Sequence, residues 1–162
     1  MNALANDEVG KYLNANFVSS FQKVATFRIA GKAKQGGNVA SYFCDPDGRV
    51  LHAVAGPVNA ATFLREARWA VEAQKLALLE SGGDDIRLRA AFHQAHAERL
   101  RQEHALDLGN PAVGGQALAR AGQVHLLLAA APLVKIERVY KLVFERILGE
   151  KVSFAPVVQV KS

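Results

Sequence analysis

One cysteine among 162 residues excludes an internal disulfide and any cysteine-rich zinc site, since each needs several thiols. Aromatic residues are scarce at 7%, and alanine and leucine fill much of the 50% hydrophobic content, a balance that favours helices. No apolar run approaches the roughly 20 residues that cross a bilayer. The longest, at 124–134, is interrupted by His125 and Pro132. The residues after Met1 are polar and include Asp7 and Glu8, which is not the pattern of a secretory signal. As written, the chain reads as soluble and cytoplasmic, and as extracytoplasmic if its N-terminus is incomplete. Basic clusters are missing too. The net charge of +5 is interleaved with acids, as in Arg65-Glu66 and Glu98-Arg99, and no nucleic-acid-binding signature accompanies it, so nucleic acid is not an expected partner.

What is present is concentrated at 38–70. Val39 to Cys44 suits a pleated, half-buried strand. Asp45-Pro46-Asp47-Gly48 supplies turn chemistry, with a preset dihedral at proline, side-chain acceptors at the aspartates and freedom of φ at glycine. Residues 49–55 alternate Val50, His52 and Val54 against Leu51, Ala53 and Ala55, which predicts an antiparallel hairpin covered on both faces. Asn59 is the expected N-cap of a helix that carries Phe63, Leu64, Ala67, Ala70 and Val71 on one stripe and stops at Ser81-Gly82-Gly83.

Elsewhere, Asn6-Asp7-Glu8 predicts a short helix ending near residues 14–16, followed by a strand over most of 17–25 from its two-residue period. Residues 31–37, rich in lysine and glycine, read as an exposed connector, because their spacing is not that of a phosphate-binding loop. Asp84-Asp85 caps a second long helix, breaks fall at 108–111 and 113–115, and further helices are expected at 116–131 and from Pro132 to Gly149. The tail at 152–160 reads as a strand or extended arm, without repeats or low-complexity sequence anywhere.

Three motifs in order carry a family resemblance: Asn6 to Val18, then Tyr42 to Leu51 (YFCDPDGRVL), then Gly56 with Phe63-Leu64. Over about the first 72 residues the chain resembles the thioredoxin-like superfamily, particularly its bacterial domains. The resemblance implies an α/β fold, a thioredoxin-like βαββα remnant with a central sheet, a hairpin and flanking helices, occupying 1–80; the residue pattern adds a mostly helical extension of unknown type at 81–162. It also implies a redox Cys-x-x-Cys at the start of the helix whose end matches Glu8 to Asn16, and no such pair stands in this chain. Met1 falls where family members often carry an internal methionine, so an internal position for it is one expectation. Asn38 and Val39 stand at the loop where the family places its cis-proline. The family's first strand has no counterpart, and the tail at 152–160 is the candidate for its central slot.

Other chemistry weighs less. Cys44 is a candidate reactive thiol only if His52, across the hairpin, lowers its pKa; a small buried hydrophobe is the favoured role. His93, His96 and His104 share a helix, but no further ligand completes a recognisable metal set, and His125 reads as a core residue. Asp84-Asp85 reads as a cap, and Trp69, Tyr140 and Phe144 as core more than recognition patch. The expected function is therefore a non-catalytic thioredoxin-like scaffold that binds a protein partner, with no cofactor, no metal, no membrane span and a homo-oligomer as one arrangement. The alternatives are part of a thiol-disulfide oxidoreductase with its Cys-x-x-Cys before Met1, and a basic helical module for anionic surfaces.

Overall fold

Residues 3–24, 27–30, 33–110, 117–155 and 158–160 are described by the structure, a computed structural model, with backbone alone at 27–30, 33–36 and 158–160. Local chemistry sets the helix starts. Asn6 accepts from Glu8 N (3.0 Å) and Val9 N (3.2 Å) to open α1 (Asp7–Asn16), behind a short 3-10 turn at Ala3–Ala5. Asn59 accepts from Thr62 N at 2.8 Å to open α2 (Ala60–Ser81), which ends on Gly82 in the left-handed region. Asn59→Ala should therefore lower the urea-unfolding free energy by about 1 kcal/mol. Asp84 does the same for α3 (Asp85–His104) through Arg87 N at 2.8 Å. α4 (Arg120–Ala130) has no side-chain cap, and α5 (Ile136–Leu142) runs into a π-helical turn at Val143–Ile147.

The expected hairpin forms. In it, β3 (Ala40–Cys44) pairs antiparallel with β4 (Val50–Ala55), with Phe43 opposite His52 and a register shift between Phe43 and Cys44. Asp45 closes the turn by accepting from Asp47 N (3.0 Å) and Arg49 N (2.9 Å), and Gly48 takes a φ of 74° that a larger residue rarely adopts. Covered on both faces, β4 joins three apolar clusters. Val50 and Ala53 pack with α4, α5 and the π turn, Leu51 with Ala77, Leu88 and Phe92 of α2 and α3, and Val54 with Val9, Phe63 and Ala67 of α1 and α2. Each large side chain buried this way contributes roughly 1.5–3 kcal/mol. The architecture is mixed α/β, and helices from both sides of residue 80 close on the same strand.

Three expectations need correction. Residues 17–24 are not a strand: they form no ladder, and Val18 and Phe21 are 101% and 91% exposed. Alternation makes a strand only where one face finds a core along its length, and here only the end residues Phe17 and Val24 pack against apolar clusters. The connector at 31–37 contains β2 (Ala33–Gly36), which pairs antiparallel with β1 (Phe27–Ala30), because backbone pairing tolerates the lysine and glycine there. The tail does form a strand, β5 (Val158–Val160), but it runs parallel to β1 and not beside β3. The described strands thus make two sheets, ordered β2-β1-β5 and β3-β4, so β5 does not fill the slot expected of it. α4, starting at Arg120, lies inside the span expected to be helical at 116–131. Residues 111–116, which held part of the expected break, lie outside the described residues, as do 25, 31, 32, 156 and 157. Among the described residues no helix is long and apolar enough to cross a membrane.

Candidate functional site

Where β4 meets α2, α3 and α4, six polar or aromatic side chains converge inside the core. β4 contributes His52, α2 contributes Glu66 and Trp69, α3 contributes His96 and Arg99, and α4 contributes His125. The three-residue spacings of Glu66 with Trp69 and of His96 with Arg99 put each pair on one helix face. His52, His96 and His125 are 2%, 1% and 1% exposed, so their polar atoms must find partners within the protein.

Those partners fix the tautomers. His96 Nε2 lies 3.0 Å from Leu51 O, and a carbonyl only accepts, so Nε2 carries the hydrogen. His96 Nδ1 is then a lone pair, accepting from His125 Nδ1 at 2.8 Å. His52 Nε2 donates to Glu66 Oε2 at 2.8 Å, which leaves His52 Nδ1 as a buried lone pair with no hydrogen-bond partner. Arg99 meets Glu66 in a two-pronged pair (2.7 and 3.1 Å) and also binds Glu103, while Arg65 donates to Glu66 Oε1 at 2.8 Å. Trp69 closes the site. Its ring centre lies 4.9 Å from His52, 5.0 Å from His96 and 5.3 Å from His125, with the Arg99 guanidinium 4.9 Å over its face.

Electrostatics keep the imidazoles neutral. Burial lowers the His52 pKa and outweighs the bond to Glu66, so that contact is a hydrogen bond between a neutral ring and a carboxylate. Burial and the neighbouring His52 lower His96 to about 3, against the bond to Leu51 O. Burial with His52 and His96 lowers His125 further. Burial alone would raise Glu66, but the bonds from His52 and Arg99 win and hold it well below the ordinary carboxylate range. Of the described residues, His52, His96 and His125 are the set able to hold a metal ion, one nitrogen from each lying within 4.8 Å of the others. A cavity of about 250 Å³ borders His52 and Glu66, with Thr62, Arg65 and Arg120 on its walls.

The residues singled out in the sequence are placed differently. Cys44 faces Val50, one register step from the His52 pair, and packs against the α4–α5 cluster. Burial, then Asp45 and Glu137, push its thiol up to about 11, so His52 does not activate it. Asn38 donates from N and Nδ2 to Glu150 Oε2, both at 2.8 Å, and Val39 O accepts from Gly56 N at 2.8 Å. His93 leaves the expected trio to bond Ala129 O through Nδ1, and His104 lies at the far end of α3 with a buried, unpartnered Nε2. The histidines grouped with His96 come from β4 and α4, not from the rest of α3. Asp84 caps α3 as expected. Trp69, Tyr140 and Phe144 do not form one patch: Phe144 lies in the α4–α5 core and Trp69 against the histidines. A signal for the missed residues exists. Glu66 falls on the apolar stripe of Phe63, Ala67 and Ala70, and His96 and Arg99 on that of Phe92 and Leu100, where a charge needs a buried partner. Compared with protein-family descriptions, with curated proteins and with solved structures, the chain matches none.

Proposed function

We propose that the chain is a non-catalytic scaffold of thioredoxin-like type that binds a protein partner. The observation that supports it most is the state of Cys44. The sole thiol of the sequence is half-buried near the acids Asp45 and Glu137 and is pushed up to about 11, so it is not a thiolate at neutral pH. The succession of α1, the β3–β4 hairpin and α2 supports the reading, with β1 and β2 standing between α1 and that hairpin. The surface offered to a partner is built on the 17–24 segment, whose end is joined to 153–155 by Ser153 N to Val24 O at 2.8 Å and by Lys23 to Ala155 O. Val18 and Phe21 on the first segment and Phe154 on the second are exposed, apolar side chains that a second protein would cover.

The purified chain should reduce insulin disulfides no faster than buffer, and Cys44→Ser should change nothing. Reduction that disappears in Cys44→Ser would refute the non-catalytic reading. The partner half is tested by a photocrosslinker at position 21. A discrete adduct weakened by Phe154→Asp supports it, and the absence of any discrete adduct counts against it.

A further inference from the structure

We infer that His52, His96 and His125 form a binding site for one divalent first-row transition ion of the zinc type. The inference goes beyond the scaffold reading and does not depend on it. The geometry comes first. A tetrahedral ion with metal–nitrogen bonds near 2.0–2.1 Å sets its nitrogens about 3.3 Å apart and its imidazole centres about 5 Å apart. Here the ring centres are 4.8 Å (His52–His125), 5.0 Å (His96–His125) and 6.0 Å (His52–His96) apart. One nitrogen from each falls within 4.8 Å of the others, so side-chain shifts on the order of 1 Å reach the required spacing.

The far sides of the rings are organised for the same purpose. A ligating histidine normally donates its other N–H to a carboxylate or a backbone carbonyl, which fixes the tautomer and raises basicity. His52 donates Nε2–H to Glu66 and His96 donates Nε2–H to Leu51 O, so both present Nδ1. His125 meets His96 Nδ1 through its own Nδ1. When an ion replaces that bond, the His125 hydrogen moves to Nε2 and the ring stays neutral. The unpartnered Nδ1 of His52 is explained at the same time. A buried lone pair without a donor costs free energy, and a metal ion is the partner that three lone pairs can share.

Three nitrogens leave a fourth position open, and three neutral imidazoles leave the ion's charge uncompensated. The Arg99 charge offsets Glu66, so the fourth ligand is expected to be hydroxide or another small anion. The cavity beside His52 and Glu66, with Arg65 and Arg120 on its walls, offers the route in for both ion and anion.

The test uses the untagged full chain, stripped by chelator, and titrated with zinc and cobalt chlorides against a chromogenic competitor. One ion per chain is expected, with visible cobalt bands of four-coordinate intensity. Affinity should fall about 10–100-fold in Glu66→Gln and further in His125→Asn. Because a buried variant can misfold, the wild-type protein gives an independent reading through its long-range 1H–15N imidazole spectrum. One equivalent of zinc should move the nitrogens of three rings and leave His93 and His104 in place. Failure of both ions to bind stoichiometrically would overturn the site, as would shifts confined to His93 and His104.

Discussion

Glu66→Ala should destabilise the protein by roughly 3–5 kcal/mol, the cost of leaving one member of a buried ion pair without its counter-charge. Glu66 lies inside the core and accepts from His52, Arg65 and Arg99 together. Its removal strands the Arg99 guanidinium, which among the described residues keeps Glu103 alone as an anionic partner, and deprives His52 Nε2 of its acceptor. Urea titration of the wild type and variant measures the difference. Glu66→Leu combined with Arg99→Leu removes both charges at once and should recover a large part of the loss, since apolar replacements of a buried pair are often neutral. A single variant that unfolds at the wild-type urea concentration would show that water reaches Arg99 and that the pair is not desolvated.

Metal-free protein should also lose stability steeply on mild acidification. In the unfolded chain His52, His96 and His125 titrate near their ordinary value of 6.5, whereas burial first, and the facing charge of Arg99, keep all three neutral in the fold. Between the two ranges the unfolded state binds more protons, so stability is complete above the ordinary value and declines as pH falls below it. Each histidine contributes a slope of up to about 1.4 kcal/mol per pH unit, or about 4 for the three together. For His96 the decline continues to about 3. Glu66 acts in the same direction: its folded carboxyl stays ionised below the ordinary 4.5, so its contribution, present above that value, is lost on further acidification. Urea midpoints taken from about pH 7 down to about pH 5 measure the slope. A flat profile would mean that the rings take up protons without unfolding.

Much of the local structure was legible in the residues. Caps at Asn6, Asn59 and Asp84, the stop at Gly82 and the Asp45 to Gly48 turn depend on neighbours within a few positions, and all stand where their chemistry puts them. What failed depended on distant pairing. The 17–24 segment has a strand's alternation without a strand's partner, and Ala33–Gly36 has a loop's composition with a partner supplied by Phe27–Ala30. The histidine centre was hidden for a related reason. A reading that divides the chain at residue 80 puts His52, Glu66 and Trp69 on one side and His96, Arg99 and His125 on the other. Each then looks like an isolated oddity on an apolar stripe, and only the packing of α3 and α4 on β4 brings them together.

Trp69 gives the protein an optical consequence. As the sole tryptophan of the sequence it is the main source of intrinsic fluorescence, and its indole touches three imidazoles while a guanidinium lies over its face. Protonated imidazole and paramagnetic copper(II) both quench an adjacent excited indole. Emission from this one ring therefore reports on the state of the buried histidines without any added label.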